Sequence, residues 1–344
     1  MRILAIDTSC DETAAAVTED TKLLSNIIWS QASLHAKFGG VMPSLAQRMH
    51  EERIDWVINK AIQSSKFKVQ SMDLVAVTIG PGLAIALGVG IAKAKELAKK
   101  YHKSLIAVNH LEGHLLSCLA QPNTENLKFP ALGLVVSGGN TVLVKINKIG
   151  SYETLAQTVD DALGEALDKA ARMLGLGYPG GAILEEIARD GDPETYKLPI
   201  PIAGQEQRKI FTYSGLKSAM YRLVESEKPL TKEKIQNLAV CFQNVAFEHL
   251  IRVIRFVINN QSLTINHLFV GGGVSANNEL RKRLRKLGKE FGIKILFPYT
   301  KKLCGDNAAM IGVAAYFKTL SQQCEKNIDK IDRVPRAKID TNFV

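Results

Sequence analysis

Short apolar runs that end in small polar residues recur along the chain and outline its architecture. R-I-L-A-I-D-T-S-C-D-E-T-A-A-A-V, Arg2 to Val17, reads as a strand, a turn and a returning strand. A-L-G-L-V-V-S-G-G-N-T-V-L-V-K-I, Ala131 to Ile146, repeats that order in the middle of the chain. Leu74 to Ile79 is a β-branched run of the kind a buried strand shows, stopped by Gly80-Pro81-Gly82. Helical spacing follows over Leu83 to Lys100, and also over His50 to Gln63, Asp161 to Leu174 and Lys232 to Asn259. Gly and Pro mark loops at Gly175 to Gly181 and Asp190 to Arg208. A third strand, glycine turn and helix is L-F-V-G-G-G-V-S-A-N-N-E-L-R, Leu268 to Arg281.

A hairpin repeated at the start of each half predicts two related α/β lobes whose turns face one cleft. Glycines after a buried strand let backbone N–H groups approach an anion, and a helix N-terminus adds its dipole. Gly271, Gly272 and Gly273, with Ser275 and Asn277, are therefore candidate nucleotide contacts. Any one such turn can be a tight connection and nothing more. Neither a G-x-x-x-x-G-K-[ST] loop nor a G-x-G-x-x-G with its ribose-binding acid is present, so any phosphate site is of another type.

Composition narrows the partners. The 344 residues are 46% hydrophobic, enough for a large core and against disorder. The net charge of +10 and a pI near 9.3 favour a polyanionic partner. Arg281 to Lys302 holds nine Lys or Arg against one acid, Glu290, although a basic run can also be a plain solvated face. Cys10, Cys118, Cys241, Cys304 and Cys324 are odd in number and contain no C-x-x-C pair, which fits a reduced cytoplasm better than a disulfide framework. Leu74 to Ala92 lacks charges, but the Gly-Pro-Gly break argues against a membrane span. The apolar run Ile3 to Ile6 is too short for a signal-peptide core.

The chemistry concentrates in H-L-E-G-H, His110 to His114. On a helix the two imidazoles share a face and Glu112 points away. That differs from the H-E-x-x-H of zinc peptidases, whose base follows the first His. Asp306, just before the apolar run Ala308 to Ala315, reads by itself as a helix cap. Asp161, Glu165 and Asp168, spaced i, i+4 and i+7, predict one acidic helix face beside Lys169, ordinarily a solvated stripe.

Together I-D-T-S-C-D-E-T (Ile6 to Thr13), G-P-G-L (Gly80 to Leu83), N-H-L-E-G-H (Asn109 to His114), V-S-G-G-N-T (Val136 to Thr141), D-D-A-L-G-E-A-L-D-K (Asp160 to Lys169), Y-P-G-G (Tyr178 to Gly181), Y-S-G-L-K (Tyr213 to Lys217), G-G-G-V-S-A-N (Gly271 to Asn277) and C-G-D-N-A-A-M-I (Cys304 to Ile311) carry a resemblance. From about residue 1 to about residue 317 the chain resembles the universal tRNA N6-threonylcarbamoyladenosine transferase family, in its bacterial and organellar branch. The resemblance implies the two-lobed fold shared by actin, sugar kinases and heat-shock ATPases. On it we expect an N-terminal lobe over 1–115 completed by a returning helix over 306–325, a C-terminal lobe over 130–303, and a tail over 326–344 of uncertain order.

It further implies transfer of an L-threonylcarbamoyl group from threonylcarbamoyl-AMP to N6 of the adenosine beside the anticodon, position 37, in tRNAs reading codons that start with A. His110, His114 and Asp306 would hold one iron or zinc ion, leaving positions open to substrate. Val135, Val136, Ser137, Gly138 and Gly139, with Asp168, Gly181 and Asn277, would line the donor pocket. Asp11 or Glu12 would accept the amine proton. The implied partners are tRNA, through its anticodon stem-loop, a paralogous subunit and a small P-loop ATPase, in the cytoplasm and away from membranes.

Two departures stand out: Asn140 replaces the His of the common S-G-G-H-T turn, and Gly305 the Thr of C-T-D-N. Asn can exchange hydrogen bonds but cannot titrate. Competing readings are a metal-dependent peptidase, a noncatalytic nucleotide-binding scaffold, and a small-molecule kinase of the same superfamily.

Overall fold

A computed structural model describes residues 1–120, 127–260, 265–322 and 327–341. The opening apolar run forms strand β1 (Arg2–Asp7), and Glu12–Glu19 (β2) returns antiparallel to it with Ile6 opposite Ala15. A third antiparallel strand, β3 (Lys22–Ser30), follows. Helices α1 (Ala32–Ala36) and α2 (Pro43–Ser65) lead to β4 (Leu74–Gly80), which pairs parallel to β1. Helix α3 (Ala84–Lys100) and β5 (Ser104–Asn109) complete a sheet ordered β3-β2-β1-β4-β5. Helix α2 begins seven residues before the predicted His50. Its first turn is opened by Pro43 at N1, a placement that suits proline because the missing N–H is unpaired there anyway.

After α4 (His110–Leu116), β6 (Ala131–Val136), β7 (Thr141–Lys148) and β8 (Ser151–Thr158) repeat the antiparallel meander. Helices α5 (Leu163–Met173) and α6 (Gly180–Ala188), the short strand β9 (Ile210–Phe211), and helices α7 (Ser214–Ser226) and α8 (Lys232–Asn259) come next. The chain then runs through β10 (His267–Gly271), α9 (Asn278–Phe291), β11 (Lys294–Leu296) and α10 (Ala308–Leu320). β10 joins β6 in parallel, giving the order β11-β10-β6-β7-β8-β9. Both halves therefore build a meander whose first strand also pairs with a parallel strand, which is the duplication expected from the hairpins.

Three apolar cores result. Helices α2 and α3 cover one face of the first sheet, with Ile54, Val57, Leu87 and Ile91 against Leu4, Val75 and Val77. Helices α5 to α9 cover the outer face of the second sheet. Between the sheets a shared core joins Ile3, Ala5 and Ile106 to Val135, Val142 and Phe269 through Leu111 and Leu115 of α4 and Met310, Ile311 and Ala314 of α10. Helix α10 packs on β1, β2 and β5, which supports the division into lobes that we propose: 1–115 with the returning helix, and 130–303. Residues 323–325 of that expected helix, and 326 and 342–344 of the tail, lie outside the described residues, as does Cys324.

Two expectations need correction. Helix α5 starts at Leu163, so Asp161 precedes it and shares no helix face with Glu165 and Asp168; its carboxylate instead takes Lys169 and Lys217 at 2.7 and 2.6 Å. The loop predicted over Gly175 to Gly181 is shorter, because α6 starts at Gly180 with Pro179 as its N-cap.

Candidate active site

Helix α4 is only seven residues long, and its first turn is held by a side-chain cap. Asn109, the last residue of β5, caps it by accepting the N–H groups of Leu111 and Glu112 at 2.8 and 3.4 Å. Caps of this kind contribute about 1 kcal/mol. The helix is buried on every side, between α10 and the strands β5, β6 and β10. His110 and His114 then stack their rings edge-on, with centroids 4.6 Å apart. Glu112 points elsewhere and accepts the Tyr152 hydroxyl at 2.9 Å in a buried setting. It is therefore not available as the base of a peptidase.

Asp306 arrives from the segment before α10. Asn307 is the N-cap there, accepting the Met310 N–H at 3.1 Å, so the cap reading of Asp306 does not hold and its carboxylate is left free for the histidines. Its Oδ1 lies 3.1 Å from His114 Nε2 and 3.4 Å from His110 Nε2. The edge of a tetrahedron with metal–ligand bonds of about 2.1 Å is roughly 3.4 Å, so these separations suit one ion. The three ligand atoms all lie within 4.8 Å of one another. A second observation supports the fit. The buried Nδ1 atoms of both histidines and Oδ2 of Asp7 have no hydrogen-bond partner among the described residues. Asp7 Oδ2 stands 3.8 Å from His110 Nδ1, where a carboxylate can orient a metal-bound imidazole.

The electrostatics express the same crowding. Burial disfavours a charged His110, but the carboxylates of Asp306 and Asp7 outweigh it and raise its pKa to about 9. Burial, then the charge of His110, lowers that of His114. For Asp306 burial is outweighed by both imidazoles, which hold it far below the usual carboxylate range.

Around this trio the turns of both halves converge on a cavity of about 950 Å³. Cys10, Asp11 and Glu12 line it from the first meander, and Ser137, Gly138 and Gly139 from the second, together with Asp168, His110 and Asp306. Burial and the nearby carboxylates of Asp306 and Asp11 push Glu12 well above its ordinary pKa. The second turn closes through Ser137, whose N–H donates to the Asn140 carbonyl at 2.8 Å and whose Oγ accepts the Asn140 N–H at 3.1 Å. The closure is made by the Asn140 backbone, so the turn keeps its shape without a histidine. Gly138 and Gly139 have open space where a Cβ would stand, and no described residue accepts their N–H groups.

The other expected pocket residues lie outside this lining. Val135 and Val136 are buried inside β6. Gly181 gives its N–H to Asp168 Oδ1 at 2.7 Å. Asn277 caps α9, accepting Glu279 and Leu280 N–H groups and donating to Gln243 at 3.0 Å. Of Gly271, Gly272 and Gly273, only Gly273 lines the cavity. Gly271 rests against the His114 carbonyl oxygen, where a Cβ has no room, and Gly272, at φ +91°, against that of Val136. Ser275 is fully buried.

Sequence reasoning missed the Gly39–Val41 loop, Arg172 and Tyr178, all of which line the cavity. The Arg172 guanidinium donates to the Gly39 carbonyl and so ties α5 to the segment before α2. The Gly39-Gly40 pair was the available signal. The basic stretch also divides. Arg283 is held by Asn244 and Glu279 at 2.7 and 2.8 Å, and Arg281 by the Ser275 carbonyl at 2.6 Å, so neither is a free phosphate ligand.

The model of the tRNA N6-adenosine threonylcarbamoyltransferase family matches residues 22–313. A protein of that name from Bartonella tribocorum is 40% identical, covering 98% of this chain and 94% of its own. One from Thermodesulfovibrio yellowstonii is 42% identical over 93% of this chain and 95% of its own. Among solved structures, component A of (R)-2-hydroxyglutaryl-CoA dehydratase from Acidaminococcus fermentans superposes with a TM-score of 0.54 at 14% identity, covering 93% of this chain and 99% of that one. That likeness shows the fold alone, and it agrees with the two-lobed α/β architecture expected from the sequence.

Proposed function

The chain belongs to the tRNA N6-adenosine threonylcarbamoyltransferase family, and we propose how its residues divide the transfer among themselves. It is a tRNA-modifying acyltransferase; the peptidase, scaffold and kinase readings are not favoured. The observation that carries the proposal is that one cavity gathers Asp11 and Glu12, the open Gly138-Gly139 turn, Asp168 and two of the three metal-type ligands.

The donor, threonylcarbamoyl-AMP, is a mixed anhydride with a good leaving group. The N6 amine attacks the carbamoyl carbon, the bond from that carbon to the phosphate oxygen breaks, and the amine loses a proton. The protein therefore needs no covalent nucleophile; it has to align the partners and stabilise the departing charge. The Gly138 and Gly139 N–H groups would meet the phosphate. Glu12, with its raised pKa, would take the proton, and Asp11 stands beside it as the alternative base. Asp168, half-buried in the cavity lining, would hold a donor hydroxyl or amine through the lone pairs that its bond from Gly181 leaves free. When bound to His110, His114 and Asp306, iron or zinc would supply Lewis-acid polarisation of the donor.

Among the described residues no helix is long and apolar enough to cross a membrane. A cytoplasmic setting and work beside a paralogous subunit and a P-loop ATPase rest on the family resemblance, and co-purification tests the latter. The decisive experiment is mass analysis of nucleosides from tRNA incubated with the protein, threonylcarbamoyl-AMP and those partners. Threonylcarbamoyladenosine is the expected product, and its absence in every combination would overturn the reading.

A further inference from the structure

The segment after α10 is mixed in charge and outside the matched family model, yet it is laid against the working parts of the cleft. Val334 donates its N–H to the Ile79 carbonyl at 2.7 Å, and Pro335 accepts that of Gly82 at 3.1 Å, so the chain grips both sides of the Gly80-Pro81-Gly82 turn. Gly80 is required there, because a Cβ would strike the Val334 carbonyl. Asn109, the cap of the metal-ligand helix, donates its side-chain amide to the Lys338 carbonyl at 3.0 Å. Asp340 then accepts the Thr154 hydroxyl of β8 at 2.8 Å. The segment thus runs as a strap from the end of β4 to the second sheet.

Its side chains alternate. Ala337 and Ile339 are buried, while the side chains of Arg336 and Lys338 are exposed and make no hydrogen bond or ion pair with any described residue. Both line a second cavity of about 410 Å³. That cavity shares Pro81, Gly82, Gly139 and Asn140 with the larger one, so the two adjoin at the turn proposed to meet the donor phosphate.

The geometry points to the strap as an RNA-binding element: Arg336 and Lys338 hold the anticodon-loop phosphates next to the target adenosine while its base enters the larger cavity. This rests on tRNA being the substrate. Charge complementarity carries it, since a polyanion that must reach the shared turn meets two uncommitted cations on its way. The flanking nucleotides of an unstacked loop need room of this kind.

The test is tRNA binding across a salt series for wild type, Arg336→Glu/Lys338→Glu and the milder Arg336→Gln/Lys338→Gln. Each lost phosphate contact on single-stranded RNA should flatten the salt slope by about 0.7. We expect the Glu pair to weaken tRNA binding at least tenfold at ~0.1 M salt. The Gln pair should fall between, and both should keep wild-type threonylcarbamoyl-AMP affinity. Unchanged affinity and slope in both pairs would overturn the inference, as would loss of a protein partner with tRNA binding intact. Failure of the wild type itself to bind tRNA would instead strike at the functional reading.

Discussion

His110 and His114 each bring one nitrogen close to the same Asp306 oxygen, and the proposal that the three share one ion makes both imidazoles necessary. His110→Ala and His114→Ala should each abolish bound metal and transfer while circular dichroism keeps its helical signal. Truncating the fully buried His114 should also lower Tm. Full metal occupancy in both variants would remove these residues from the site. Asp168 invites a finer comparison, because its Oδ1 also anchors α6 through Gly181. Asp168→Ala should impair threonylcarbamoyl-AMP affinity more than tRNA affinity, and Asp168→Asn, which keeps the acceptor for Gly181, should separate lost charge from lost anchoring. Loss of tRNA binding with normal donor affinity would assign this carboxylate to the other ligand. The histidine pair was legible because its members sit one helical turn apart. Asp306 was not, since it comes from 192 residues beyond His114 and reads locally as a cap. Asn277 was legible in one respect: an Asn directly before a helix is a cap signal, and the structure uses it as one.

Elements hold these residues by close backbone contact. Strand β10 meets α4 where Gly271 touches the His114 carbonyl, so Gly271→Ala has to displace that helix or the strand. It should cost about 1–3 kcal/mol of stability and reduce metal occupancy. Gly273→Ala, which meets open space, should be close to neutral in both. Equal behaviour of the two in thermal melts and metal analysis would show that the contact does not matter. Helix α8 anchors the β9–α7 connection in another way. Its His249 accepts the Thr212 N–H at 3.1 Å between the rings of Phe211 and Tyr213, and burial lowers its pKa to about 4. The unfolded chain therefore binds the proton more tightly. The contribution is intact above about pH 6.5 and is lost as pH falls towards about 4, amounting to about 3 kcal/mol in all. Urea midpoints measured over that range should fall less steeply for His249→Gln, and parallel curves would refute the assignment. The strands that are apolar on both faces, β1, β4 and β6, were readable as such. β3 and β8 were not: Ser25 and Asn26 break the apolar run of β3, and the exposed Glu153 and Gln157 break that of β8.

For the whole molecule, a net charge of +10 becomes an argument about tRNA only where cations are free and close to the cleft. The stretch from Arg281 to Lys302 ends close to the cavity in sequence, since Gly305 and Asp306, just beyond Leu303 and Cys304, both line the wall. Its arginines are largely committed: Arg283 to Asn244 and Glu279, Arg281 to Ser275 and the Phe297 ring, Arg285 to the same ring. Reversing Arg283 would therefore damage the α8–α9 packing and confuse folding with binding. The side chains of Lys286, Lys289 and Lys302 are exposed and make no hydrogen bond or ion pair with any described residue, so they are the proper probes. Replacing all three by Glu should weaken tRNA binding and flatten the dependence of log affinity on log salt by about 2, at 0.7–0.9 per phosphate contact. Donor affinity and Tm should stay at wild-type values, because none of the three supports the cavity or the core. Arg283→Glu should show the reverse, a lower Tm with little change in the salt slope. An unchanged slope in the triple variant would make this stretch a solvated helix face and leave the strap as the cationic surface to examine.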